Sequence, residues 1–191
     1  CLNSINRFIL KNDADQASLY LTKFAKLIRQ TLNTSVGAEH SLKEELVMLD
    51  NYLSLEKLRF KEKVNYRIEV DPRLDTSVVR IPPLLIQPYV ENALVHGLKE
   101  TTLEGKIDVI VEPCPEGVKV SIVDNGVGYD PLAISTENKS LGMRITQQRL
   151  ALLSAGKDTA QVKIKSLEKE DTSARGTNVE IVISTKTTAP R

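Results

Sequence analysis

Three short islands between residues 87 and 177 hold the residue types that chemistry needs. The first is Glu91-Asn92-Ala93-Leu94-Val95-His96-Gly97. Asn92 and His96 are four apart, so on a helix they share one face, one turn apart. An amide oxygen and an imidazole projecting together suit a hard cation with an anion bound beside it. The same spacing also describes a polar face at a helix end, with His96 near the C-terminal dipole. The second island is Asp124-Asn125-Gly126-Val127-Gly128, at the end of a strand-like run. A buried carboxylate at a strand end can accept a hydrogen bond from the amino group of adenine, where guanine offers a carbonyl and is repelled. Gly126 and Gly128 are read as positive-φ positions that turn the backbone and let it approach a ligand. Asp-Asn-Gly is equally a common β-turn string. The third island is Ser140-Leu141-Gly142-Met143-Arg144, opening a helix, with Arg175-Gly176-Thr177 entering a last strand much later. A glycine at a helix N-terminus exposes N–H groups that suit a phosphate chain, with Lys139 and Arg144 adding positive charge. A capped surface helix and a tight hairpin turn account for the same strings.

The elements that must position these islands change character near residue 63. Before it the periodicity is helical: Leu2, Ile5 and Ile9, then Ala17, Leu21, Phe24, Leu27 or Ile28, and Leu32. Asn12, Asp13 and Asp15 divide this stretch into two helices, with Asp13 capping the second. Residues 33–40 connect to another long helix, where Ser41 and Glu44 form a capping box. Its residues Leu42, Leu46, Leu49, Leu53 and Phe60 fall near a 3.5-residue spacing, the mark of a seam between packed helices. The result is an antiparallel helical hairpin, which cannot enclose a core alone and is expected to dimerise into a four-helix bundle. After residue 63, Val64, Tyr66, Ile68 and Val70 alternate as a strand that ends at Asp71-Pro72. A helix is predicted directly after Pro82-Pro83, running to His96 with Gly97 at its end and a loosened turn at Pro88. Strands at 106–111 and 118–124, a loop over 125–140, a helix over 141–155 and a hairpin of strands at 161–167 and 178–184 complete the chain. Helices between hairpin-paired strands point to an α+β sandwich with helices on one face.

Composition narrows the function classes. The 191 residues predict one or two domains, and 41% hydrophobic with 27% charged residues is ordinary for a globular protein. With 4% aromatic residues and no Trp, the core must be largely Leu, Ile, Val and Ala. Lys and Arg number 26 against 25 Asp and Glu, without the basic excess of a phosphate-backbone binder, so nucleic acid is not an expected partner. Cys1 and Cys114 form no disulfide framework, which suits a reducing compartment. The longest apolar stretch, 81–90, is interrupted by Pro82, Pro83, Gln87 and Pro88, short of the ~18 apolar residues of a membrane helix. Starting at Cys1 without Met, the chain is expected to be a piece of a longer protein.

Taken in order, the Asn box on a helix, Asp-x-Gly-x-Gly after a strand, a Gly-led helix and Gly-Thr before a last strand resemble the Bergerat ATP-binding fold. Gyrase, the Hsp90 chaperones, the MutL repair proteins and the histidine kinases share that fold. The run Ile81-Pro82-Pro83-Leu84-Leu85-Ile86-Gln87-Pro88-Tyr89-Val90-Glu91-Asn92-Ala93-Leu94-Val95-His96-Gly97 is similar to that of the LytS-type sensor histidine kinases. So are Asn51-Tyr52-Leu53-Ser54-Leu55-Glu56-Lys57-Leu58-Arg59-Phe60 and Leu2-Asn3-Ser4-Ile5. The resemblance implies an α+β fold in which residues 1–62 form a dimerising helical hairpin. Residues 63–186 form a Bergerat-type α/β sandwich with a mixed sheet and helices on one face, followed by a tail, 187–191.

The resemblance also implies ATP and Mg²⁺ as cofactors. Asn92 holds the metal, Asp124 reads the adenine amine, and Thr177 supports it. Gly126, Gly128 and Gly142 shape a lid and its hinge, His96 sits near the phosphates, and Glu91 polarises water or orients the metal shell. Phosphoryl transfer asks for positioning and charge neutralisation, and a neutral imidazole is a competent acceptor. In the family the acceptor lies in a His-Phe-x-Phe-Asn string directly before the Leu-Asn-Ser segment, which falls roughly five residues before Cys1. The histidines present, His40 and His96, occupy other places, so residues 1–191 are expected to bind ATP without phosphorylating themselves. Ser140 replaces a common lid glycine, Ile145 a frequent Asn and Val95 a frequent Lys, which bears on phosphate affinity and lid flexibility. The expected partners are a second copy and a response regulator of the LytTR type, on the cytoplasmic side of a membrane reached only by other parts of the parent protein. Two alternatives remain: a Bergerat-fold ATPase that drives a clamp, and a degenerate module that dimerises or docks without catalysis.

Overall fold

A computed structural model describes Ile5 and residues 8–10, 13–35, 39–60, 63–98, 104–128, 160–168 and 175–184. Helix α1 (Ala14–Ser35) begins where Asp13 Oδ1 accepts the Gln16 N–H at 3.2 Å, the cap expected from the sequence. Helix α2 (Leu42–Arg59) follows a two-residue strand, β1 (His40–Ser41). Its capping box is complete. Ser41 Oγ accepts the Glu44 N–H at 3.2 Å, and Glu44 Oε2 accepts the Ser41 N–H at 2.8 Å. Leu42, Leu46, Leu49 and Leu53 are buried along α2, as their spacing requires. On α1 the buried stripe differs from the expected one. Tyr20 and Leu27 face the core with Phe24 packed against it, while Leu21 is 52% and Ile28 43% exposed.

Strand β2 (Val64–Val70) takes the chain from the hairpin into a five-stranded sheet ordered β2-β4-β5-β7-β6. The other members are β4 (Gly105–Cys114), β5 (Gly117–Asp124), β6 (Ala160–Glu168) and β7 (Arg175–Ser184). β2 pairs with β4 in parallel, and the remaining pairs are antiparallel, so the sheet is mixed. A parallel pair needs a long crossover. Here the crossover holds β3 (Arg80–Ile81), which pairs with β1, and helix α3 (Gln87–Asn92), which runs into a single π-helical turn, Ala93–Gly97. One face of the sheet is buried by alternation: Ile107, Val109 and Val111 on β4, Val118, Val120 and Ile122 on β5, and Val179, Ile181 and Ile183 on β7. These residues form one continuous core with those of α1, α2 and α3.

One sequence expectation needs correction. α3 starts at Gln87, not after Pro83. Leu84 takes φ 60, a left-handed conformation that no helix continues, and residues 82–86 stay irregular. Pro88 then falls in the first turn, where its missing N–H has no intrahelical partner to lose, and that turn is loose as expected: the Ile86 carbonyl takes the Tyr89 N–H at 3.1 Å and the Val90 N–H only at 3.5 Å. The predicted helix over 141–155 and most of the loop before it lie outside the described residues. No helix among the described residues is long and apolar enough to cross a membrane.

Candidate functional site

The buried face of the sheet ends on polar side chains. Asp124 continues the alternation of Val118, Val120 and Ile122 on β5, so its side chain points inward, and it is 6% exposed. Thr177 lies opposite it in register on β7. An ionised carboxylate placed there needs donors. Gly126 N–H supplies one at 2.9 Å to Oδ1, and Thr177 supplies two, from its backbone and its side chain. Burial pushes the Asp124 carboxyl up from its ordinary value, and the Gly126 and Thr177 hydrogen bonds oppose that rise. A carboxylate offers about four acceptor positions. Donors from within the fold, on Gly126 and Thr177, meet this need.

The turn after β5 is held on two sides. Asn125 Oδ1 accepts the Lys106 N–H at 2.6 Å, and its amide donates to the Glu104 carbonyl at 2.9 Å. Val127 N–H donates to the Gly97 carbonyl at 3.0 Å, which ties the turn to the end of the π-helical turn. Gly97 packs against the Asp124 carboxylate, since a Cβ there would lie 3.1 Å from Asp124 Oδ1. The space at Gly126 is occupied by the Gly97 backbone, and that at Gly176 by the Asp124 carbonyl. Gly128 takes φ 87 and fits the positive-φ expectation. Gly126 does not. Its φ lies outside the left-handed region, and the close approach of Gly97 is what excludes a side chain.

Asn92, the last residue of α3, is half-buried, as is Glu91, whose Oε1 accepts a hydrogen bond from Gln87 Nε2 at 2.9 Å. Glu91 also faces α2. Burial raises the Glu56 carboxyl, Arg59 opposes the rise, and the charge of Glu91 adds to it. His96 lies within the π-helical turn. The structure therefore brings Asp124, Gly126 and Thr177 together, with Gly97 against them. Lys139, Gly142 and Arg144 lie outside the described residues, as do Ser140 and Ile145. Sequence reasoning missed that Gly97 packs against the Asp124 carboxylate and Gly176 against the Asp124 backbone, although both flank motif residues.

The family model for histidine kinase-, DNA gyrase B- and HSP90-like ATPases matches residues 82–187, the stretch holding α3, Asp124 and Thr177. The chain belongs to this ATPase family. A histidine kinase model matches residues 1–64, the helical hairpin. Sensor histidine kinase YpdA of Escherichia coli K12 is 31% identical over 133 residues, covering 70% of this chain and 23% of that protein. Sensor protein LytS of Oceanobacillus iheyensis is 27% identical over 170 residues, covering 84% of this chain and 29% of that protein. The chain thus spans about a quarter of the length of these curated relatives. Among solved structures, the histidine kinase domain from the Erythrobacter litoralis EL346 blue-light activated histidine kinase shares the fold. Its TM-score is 0.54 at 18% identity, over 92% of this chain and 82% of that one.

Proposed function

We propose that this ATPase-family chain binds Mg²⁺·ATP and presents its γ-phosphoryl group to a histidine, as the catalytic core of a two-component sensor kinase. The observation that carries the reading is Asp124. It is buried at the end of a central strand, held by hydrogen bonds from Gly126 and Thr177, with Gly97 packed against its carboxylate. A buried carboxylate in that setting fits the amino group of adenine and rejects the carbonyl of guanine. On the phosphate side, Asn92 gives a neutral oxygen donor one helical turn before Gly97. Among the described residues no three His, Cys, Asp or Glu converge. Mg²⁺ in nucleotide sites is ordinarily held by one or two protein groups plus the phosphates themselves, so Asn92 fits that donor set.

The nucleotide supplies the phosphoryl group, and the metal offsets its charge. Asp124 and Thr177 fix the adenine end, and Asn92 orients the metal side. Glu91, steered by Gln87, would polarise water or orient the metal shell. His96, Lys139, Gly142 and Arg144 are assigned to the phosphates by the family resemblance, and Gly126 and Gly128 to the lid hinge. His40 is not the acceptor, because it is buried against Glu45, with Nε2 2.8 Å from Oε2. The acceptor is expected in the sequence that precedes Cys1 in a longer chain. The partners are a second copy, for which the exposed Leu21 and Ile28, seven residues apart on α1, give an apolar face, and a response regulator of the LytTR type. We assign the domain to the cytoplasmic side of a membrane-linked parent.

Titration calorimetry with ATP, ADP, adenosine and guanosine, with and without Mg²⁺, tests the reading. Adenosine binds, guanosine does not, and Asp124→Asn loses adenosine affinity by about tenfold or more, the worth of a hydrogen bond to a charged group. Equal affinity in that variant removes the adenine assignment. A longer chain that contains the upstream histidine takes up label from γ-labelled ATP. If it binds ATP and stays unlabelled, the kinase reading fails.

A further inference from the structure

Helix α2 turns two acidic residues, Glu45 and Glu56, toward the core, and Glu45 is the one that reaches another segment of backbone. Glu45 is 1% exposed, in a setting where a carboxylate without donors is strongly disfavoured. Its donors come from about forty residues further along the chain. Oε2 accepts the Leu84 N–H and Oε1 the Ile86 N–H, each at 3.0 Å. His40 Nε2 lies 2.8 Å from Oε2 and is fixed by the β1–β3 pairing, in which His40 stands opposite Ile81. Ile86 is the N-cap of α3, and it has no side-chain cap of its own. Leu84 is the positive-φ non-glycine residue among those described, a conformation that the chain holds only when its surroundings fix it. The Glu45 carboxylate thus anchors the irregular segment from which α3 starts. α3 ends on Asn92, and the far end of the same helical segment is tied separately, by Val127 N–H to the Gly97 carbonyl.

We propose that Glu45 is a positioning residue. It links the hairpin helix α2 to the start of the helix that carries Glu91 and Asn92, so that displacement of α2 moves the metal side of the nucleotide site and leaves the Asp124 side in place. This rests on the reading of Asn92 as the group nearest Mg²⁺. The link is reciprocal: occupancy of the metal side tightens the Glu45 contacts by the amount that those contacts favour occupancy. In Glu45→Gln one acceptor oxygen becomes an NH₂ that faces an N–H donor, so one of the two backbone bonds is lost while size is kept.

The test uses the 191-residue chain, with adenosine and Mg²⁺·ADP as probes. Wild type gains affinity from adenosine to Mg²⁺·ADP. Glu45→Gln reduces that gain by at least about tenfold, the scale seen when a group that orients a metal ligand is removed, and changes adenosine affinity less than about twofold. A merely structural defect would weaken both probes alike, and that result overturns the proposal, as does a Glu45→Gln chain that keeps the full gain. Amide hydrogen exchange on wild type supplies a second measurement and decides the matter if the variant fails to fold. Mg²⁺·ADP raises protection at Leu84 and Ile86 beyond the level that adenosine gives, and unchanged exchange at both amides overturns the proposal. A wild-type chain that binds neither probe overturns the nucleotide reading itself, a result distinct from failure of the Glu45 link.

Discussion

Replacing Gly126 with alanine separates two accounts of why a glycine stands two residues after Asp124. Its φ lies outside the left-handed region, so backbone entropy alone predicts that alanine stabilises the fold, by about 0.4–1 kcal/mol. The close approach of Gly97 predicts the opposite sign. A Cβ at 126 would meet the carbonyl, carbon and Cα of Gly97, all of them backbone, and none is the end of a flexible side chain that can swing away. The turn must then move off the helix end. That movement gives up the Gly126 N–H bond to the Asp124 carboxylate (2.9 Å), worth about 1.5–3 kcal/mol, and the Val127 N–H bond to Gly97 (3.0 Å), worth about 0.5–1.5 kcal/mol. The expected loss is about 2–4 kcal/mol. With an m-value of about 2 kcal/mol/M, the urea midpoint falls by about 1–2 M. Adenosine affinity falls as well, because the carboxylate loses a donor that fixes its orientation. Urea unfolding followed by circular dichroism, paired with adenosine titration, reads both quantities. A midpoint that rises, or stays within about 0.3 M with adenosine affinity intact, refutes the close-approach argument.

Further outcomes are expected from the Asp124 contacts and from the cap of α2. An acid whose folded value is raised favours its protonated form in the fold, so the contribution of Asp124 to stability is full below its unfolded value of 3.8 and is lost as pH rises through the folded value. Ligand binding runs the other way, since only the carboxylate accepts fully: adenosine affinity declines on acidification before the ordinary Asp range is reached, and a pH series with Asp124→Asn, which lacks that decline, checks it. Ser41→Ala breaks the capping box of α2 and lowers stability by about 0.5–2 kcal/mol in urea unfolding, while Ser41→Asn loses much less.

The features legible in the sequence are mainly those that short-range physics decides. The Asp13 cap and the Ser41–Glu44 box are contacts between residues three apart, and the strands are visible through side-chain alternation. The inward position of Asp124 is legible in the same way, because it shares parity with Val118, Val120 and Ile122. Long-range relations are harder to read. Nothing local shows that β2 pairs with β4 in parallel, or that Leu84 takes a left-handed conformation held by a carboxylate on another helix. Glu45 resembles any charged residue on a surface helix. Its only signal is phase, since it falls in step with Leu49, Tyr52 and Glu56 along a stripe that is buried throughout. On α1 the sequence pattern holds at Phe24 and Leu27 and misses by one position near the start, because Tyr20, not Leu21, turns toward the core. Both choices satisfy a helical period.

The π-helical turn at Ala93–Gly97 closes Leu98 N–H onto the Ala93 carbonyl at 2.9 Å, across five residues where an α-helix would use four. It therefore takes up one extra residue between two rigid parts. Upstream, α3 sets the azimuth of Glu91 and Asn92. Downstream, Gly97 and Leu98 must arrive at the azimuth that β5 and its turn require. Removing one residue from this turn would let α3 run on as an ordinary helix, and because a π turn takes up its extra residue within nearly the same rotation and rise, the backbone on either side would keep its place. Such a chain would keep Asn92 and Gly97 in nearly their present relation, so the extra residue acts as a local insertion whose effect is confined to the turn itself.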